Sequence, residues 1–108
     1  MSDIEVGENE NGQQIEMRRQ QTLRVTLTEL RTAGFRWILH ASNQRTLSLL
    51  ADDLDPPAVG AGGAAMRHWD FRAEDAGTTE ITFDYCRPWA RAAAAAAART
   101  FSLSVRVI

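Results

Sequence analysis

A chain of 108 residues, 44% of them apolar, fits one domain with a single modest core. Its net charge of −2 comes from 14 acidic and 12 basic side chains; every basic one is Arg, and apart from Arg18-Arg19 they are scattered, so no basic stripe follows a phosphate backbone and nucleic-acid binding is not expected. A single cysteine, Cys86, excludes an intramolecular disulfide and a Cys-based zinc site, and no apolar run nears the roughly 20 residues of a membrane span.

The chain starts Met1-Ser2-Asp3-Ile4-Glu5, without the cationic and apolar regions of a signal peptide. As written it is expected in the cytoplasm; a leader already removed would instead place it in a secreted or periplasmic setting. Residues 1–19 are polar, with Glu5, Glu8, Glu10, Asn9 and Asn11 beside Gly7 and Gly12. Such composition predicts a flexible segment, at least over the first dozen residues, ahead of a domain spanning 20–108. Ile15 and Met17 alternate and suit the start of an edge strand.

From Leu23 the pattern becomes period two. Leu23, Val25 and Leu27 alternate with Arg24, Thr26 and Thr28, the signature of a half-buried strand. A turn at Leu30–Gly34 interrupts it, and Phe35, Trp37 and Leu39 resume it with Arg36, Ile38 and His40 on the other face. Leu47 and Leu49 mark a third short strand. Asp52-Asp53-Leu54-Asp55-Pro56-Pro57 reads as a loop, because consecutive prolines do not fit a central strand. Val59–Gly63, with three glycines in four positions, continues that loop.

Met66, His68, Asp70 and Arg72 then share one face, and Arg67, Trp69, Phe71 and Ala73 the other. Glu74-Asp75-Ala76-Gly77 is a turn. Ile81, Phe83 and Tyr85 make a fifth strand, and Phe101, Leu103, Val105 and Val107 a last one. Between them Ala92–Ala98 is a run of seven alanines, a strong helix former but shorter than the roughly 12–15 residues an isolated helix needs. It reads as a long hairpin connection with room for a helical turn. Six or seven short strands predict an all-β, antiparallel sandwich of immunoglobulin-like type. Its core is expected from Leu23, Val25, Leu27, Trp37, Leu39, Leu47, Leu49, Trp69, Phe71, Ile81, Phe83, Tyr85, Phe101, Leu103, Val105 and Val107.

Catalytic signatures are weak. His40 and His68 lack metal-ligand spacing to a second His or to Cys86. Cys86 with His68 is a conceivable thiol nucleophile pair, but no glycine elbow accompanies it. Asp52, Asp53 and Asp55 lack the Gly and Glu of a calcium loop. No cofactor is expected.

Three segments stand out: Leu30-Arg31-Thr32-Ala33-Gly34-Phe35-Arg36-Trp37, Gly60-Ala61-Gly62-Gly63 and Arg87-Pro88-Trp89. In that order, at that spacing, the chain over 20–108 resembles the chagasin-type inhibitors of papain-like cysteine proteases. That family's pattern is Asn-Pro-Thr-Thr-Gly-aromatic-x-Trp, then Gly-x-Gly-Gly, then Arg-Pro-Trp. Trp69-x-Phe71-x-Ala73, Gly77 and the closing Phe101-x-Leu103-x-Val105-x-Val107 fit it too. Here Leu30-Arg31 stands for Asn-Pro and Ala33 for the second Thr, which removes a fixed φ and a hydroxyl.

The resemblance implies a non-enzymatic, reversible, tight-binding inhibitor, acting as a monomer on a papain-like cysteine peptidase. The residues implied in contact are Arg31, Thr32, Ala33, Gly34 and Phe35, then Gly60, Ala61, Gly62, Gly63 and Ala64, then Arg87, Pro88 and Trp89. Thr32, Ala33 and Gly34 would cover the catalytic pair of the peptidase. The other two segments would flank its cleft. Each residue also has a plainer reading: Gly34 closes a hairpin, the glycine cluster is a flexible loop, Trp89 folds back on the sandwich, and Arg87 pairs with Asp84. A non-inhibitory immunoglobulin-like interaction domain is the alternative for the whole chain.

Overall fold

Alternation in the sequence becomes alternation in burial. Along Thr22–Leu30 the residues Leu23, Val25, Leu27 and Glu29 are buried, while the residues between them are half-exposed, as a pleated strand with one covered face requires. The computed structural model describes residues 3–30, 34–41, 45–55, 64–86 and 99–108. Within them lie β1 (Ile4–Val6), a short 3-10 turn (Glu8–Glu10), β2 (Gln14–Met17), β3 (Thr22–Leu30), β4 (Arg36–Ala41), β5 (Leu47–Leu54), β6 (Ala64–Ala73), β7 (Gly77–Cys86) and β8 (Arg99–Val107).

Two four-stranded sheets form, in the orders β1-β3-β6-β5 and β2-β8-β7-β4. Their inner faces meet in one immunoglobulin-like sandwich core. Trp69 of the first sheet packs on Phe83 of the second with ring centroids 4.6 Å apart, and Phe101 meets Phe83 edge-on at 5.9 Å. The central pairs are antiparallel: β3 with β6, β5 with β6, β4 with β7, and β7 with β8.

The structure departs from the sequence expectation at the N-terminus. Residues 3–17 are built into the sandwich: β1 pairs with β3 and β2 with β8, both in parallel, so the sheets are mixed rather than purely antiparallel. The polar composition misleads because these side chains cap backbone donors of the sandwich. Asp3 Oδ2 accepts from Thr22 N at 2.9 Å, Glu8 Oε1 from Thr28 N at 2.9 Å, and Asn11 Oδ1 from Ser102 N at 2.9 Å. Val6 and Met17 enter the core. The segment therefore covers the edges of β3 and β8, which would otherwise present free N–H groups.

One expected core residue is also displaced. Leu49 is 47% exposed. It sits opposite Phe71 and keeps the inward parity, but β5 is an edge strand with a bulge between Leu49 and Ala51. Leu49 therefore lines an open groove between β5 and β4 instead of the closed interior. Leu39, across that groove, is only partly buried. The alanine run Ala92–Ala98 lies outside the described residues.

Candidate functional site

Strand pairing brings the bases of three loops to one rim. The pair Leu30↔Ala64 ends the β3–β6 ladder, so the chain leaves toward the first loop where it returns from the second. The pair Arg36↔Cys86 ends the β4–β7 ladder, so the first loop returns where the third departs. Tyr85↔Arg99 closes the β7–β8 ladder at the same level. The outgoing base of the second loop is fixed by Asp55 N, which donates to Met66 O at 2.9 Å. The first loop crosses between the sheets, whereas the second and third are hairpins within the first and second sheet.

The base of the first loop is tied by backbone and by aromatics. Phe35 N donates to Leu30 O at 3.3 Å. Gly34 has φ +85°, a left-handed conformation that glycine adopts without steric cost. Phe35 stacks on Tyr85 with centroids 4.9 Å apart and planes 18° from parallel, and Trp37 packs on the same ring at 4.5 Å. Leu30 N donates to the Tyr85 hydroxyl at 2.8 Å. One tyrosine of β7 thus anchors both ends of the first loop beside the start of the third.

Beneath these aromatics lies a charged cluster. Glu29 is fully buried, with Oε2 accepting from Trp37 N at 2.8 Å and from Arg67 Nη1 at 2.9 Å. Arg67 Nη1 also donates to Trp37 O at 3.0 Å, and its Nε and Nη2 make a two-pronged contact with Asp52 at 3.0 and 2.7 Å. Burial works against the Arg67 charge, but the hydrogen bonds to Asp52 and Glu29 outweigh it and hold its pKa above the ordinary value. The indole of Trp37 donates to Thr28 O at 2.9 Å.

Other polar groups find local partners. His68 is held between Thr26 Oγ1, 2.9 Å from Nδ1, and Asp55 Oδ2, 2.7 Å from Nε2. Both ring nitrogens are thereby engaged, on the sheet opposite to the one that carries the buried Cys86 thiol, so a Cys86–His68 nucleophile pair is not assembled. The carboxylates weighed for calcium divide between partners instead, Asp52 on Arg67 and Asp55 on His68. Asp84 lies 3.2 Å from His40.

Of the residues singled out in the sequence, Gly34, Phe35 and the backbone of Ala64 lie on this rim. Phe35 is half-buried, its ring stacked on Tyr85. Arg31, Thr32, Ala33, Gly60, Ala61, Gly62, Gly63, Arg87, Pro88 and Trp89 lie outside the described residues. Sequence reasoning missed Glu29 and Arg67. The signal was their parity, since Glu29 continues the inward series Leu23, Val25, Leu27, and Arg67 shares the face of Trp69 and Phe71.

Comparison with known proteins follows the same lines. The model of the chagasin family peptidase inhibitor I42 matches residues 16–105. Among solved structures, the cysteine protease inhibitor EhICP2 from Entamoeba histolytica is similar with a TM-score of 0.84 at 21% identity, covering 100% of both chains. PbICP-C, solved in complex with falcipain-2, is similar with a TM-score of 0.69 at 14% identity, covering 96% of this chain and 98% of that one. Amebosin is similar with a TM-score of 0.63 at 23% identity over 97% of each chain. No curated protein sequence matches significantly.

Proposed function

This chain belongs to the chagasin family of peptidase inhibitors, and on that basis we propose that it is a reversible, tight-binding inhibitor of papain-like cysteine peptidases that fills the active-site cleft with three loops. The observation that carries this reading is the shared rim: the pairs Leu30↔Ala64 and Arg36↔Cys86 bring the bases of all three loops to one end of the sandwich. A single copy therefore presents the whole contact surface.

In this reading Thr32, Ala33 and Gly34 cover the catalytic cysteine and histidine of the peptidase. Gly60, Ala61, Gly62, Gly63 and Ala64 run along one side of the cleft, and Arg87, Pro88 and Trp89 close the other. Inhibition is steric: no covalent bond forms, no cofactor takes part, and the chain carries out no turnover of its own. The description of EhICP2 as a cysteine protease inhibitor and the complex of PbICP-C with falcipain-2 support this target class.

The physical advantage lies in the ordered base. Loops shaped before contact lose less conformational entropy on association, a loss that otherwise offsets much of the contact energy. Three loops can supply the roughly 1,600 Å² buried in a standard protein–protein interface. The reading is tested by assaying a panel of papain-like peptidases against the protein. Loss of activity is expected at near-stoichiometric ratios for at least one of them. Full activity of every enzyme at micromolar protein would overturn it.

A further inference from the structure

We infer that Arg67 is a positioning residue for inhibition: one guanidinium sets the bases of the first and second loops in a fixed relation. The inference rests on the inhibitory reading above.

Arg67 sits at an inward position of β6, in the register of Trp69 and Phe71, where an apolar side chain would be ordinary. Its side chain is only 19% exposed. The partners explain its place. Through Glu29 and the Trp37 carbonyl it reaches both ends of the first loop: Glu29 immediately precedes Leu30, the last residue of β3, and Trp37 is the second residue of β4. Glu29 closes the base itself, because the same Oε2 accepts the Trp37 amide. Through Asp52, near the end of β5, Arg67 reaches the outgoing end of the second loop, and its own strand is the incoming end.

The contacts use Nε and Nη2 toward Asp52 and Nη1 toward Glu29 and the Trp37 carbonyl, which the planar arginine fork supports and a lysine ammonium does not. Stability alone does not call for such a cluster, since well-packed apolar side chains commonly replace buried ion pairs without loss. What apolar packing lacks is direction. The charged cluster specifies where Trp37 N, Trp37 O and the Asp52 carboxylate stand relative to one another. A protein whose loops hold the binding-competent arrangement only part of the time shows an affinity reduced by that fraction, through slower productive association.

The test uses Arg67→Met, Arg67→Lys, and the double variant Arg67→Met with Glu29→Gln. Arg67→Met alone removes the Arg67 cation from the buried Glu29 carboxylate, so a lower melting temperature is expected. The double variant removes that charge while keeping an acceptor for the Trp37 amide, and its melting temperature is expected to recover. Its inhibition of a papain-like peptidase is expected to stay about tenfold weaker, with slower association and unchanged dissociation. Arg67→Lys is not expected to restore it. Amide exchange at Gly34 and Phe35 is expected to quicken in the double variant at equal global stability.

A double variant that inhibits at the wild-type rate, with wild-type exchange at Gly34 and Phe35, overturns the inference. If the wild-type protein inhibits no such peptidase, the functional reading fails instead. The amide exchange then decides alone whether Arg67 fixes the base of the first loop.

Discussion

The amide of Leu30, the last residue of β3, donates to the hydroxyl of Tyr85 on β7 at 2.8 Å, tying the two sheets together at the point where the first loop begins. The same ring receives Phe35 and Trp37 from the far side of that loop. Tyr85→Phe keeps the stacking and removes the acceptor. Leaving that part-buried donor without its partner is expected to cost about 1–2 kcal/mol, read from urea unfolding. Because the lost bond lies at the loop base, inhibition is expected to weaken as well.

Gly34 tests the backbone of the first loop directly. At φ +85° any side chain meets the left-handed penalty. Gly34→Ala is expected to cost about 1–2 kcal/mol, either in folding or as a shift of the loop away from its binding shape. Chemical denaturation and inhibition measured on the same variant separate the two.

The acid limb of stability has an identifiable contributor. Arg24 makes a two-pronged contact with Asp70, at 2.8 and 3.0 Å, across the β3–β6 pair. The hydrogen bond from Arg24 holds the Asp70 carboxyl below the ordinary carboxylate range, against the opposing effect of burial. A carboxyl lowered in the folded state contributes stability above its unfolded pKa, which is lost as pH falls through the folded value. Asp70→Asn is therefore expected to be less stable than wild type at pH 7, with the gap closing below about pH 4. The effect is modest because the Arg24 side chain is 36% exposed and screened by solvent.

The N-terminal segment is structural. Removing residues 1–12 deletes β1, the burial of Val6 and the caps on Thr22, Thr28 and Ser102. The shortened chain is expected to melt several degrees lower, since about 1 kcal/mol moves the midpoint of a domain this size by roughly 4–8 °C. It is also expected to associate at high concentration through the edge of β3 that β1 no longer covers. Calorimetry and light scattering read both effects.

How much of this was legible in the sequence divides along physical lines. Where one face is buried, period two reveals the strand, so β3, β6, β7 and β8 and nearly all the core were readable from Leu23 through Val107. Leu49 followed the same parity and still failed, because parity says which face a residue is on and not whether an edge strand leaves that face open. Asp3, Glu8 and Asn11 looked like a solvated tail because composition does not show the edge donors they cap. At the site, Gly34 was marked by its glycine. Glu29 and Arg67 were not, because the sequence does not show the contacts that make a buried charge tolerable: each other, the Trp37 backbone and Asp52.

The most direct measurement of the central claim is an active-site titration of papain with wild-type protein and with Trp89→Ala. Wild type is expected to extinguish activity at one molecule per enzyme. Trp89→Ala is expected to bind more weakly, by on the order of 2 kcal/mol, with an unchanged unfolding midpoint, as the loss of an interfacial tryptophan predicts. Equal inhibition by both proteins, or a variant that loses folding and inhibition together, would contradict an inhibitor that works by presenting three loops on one rim.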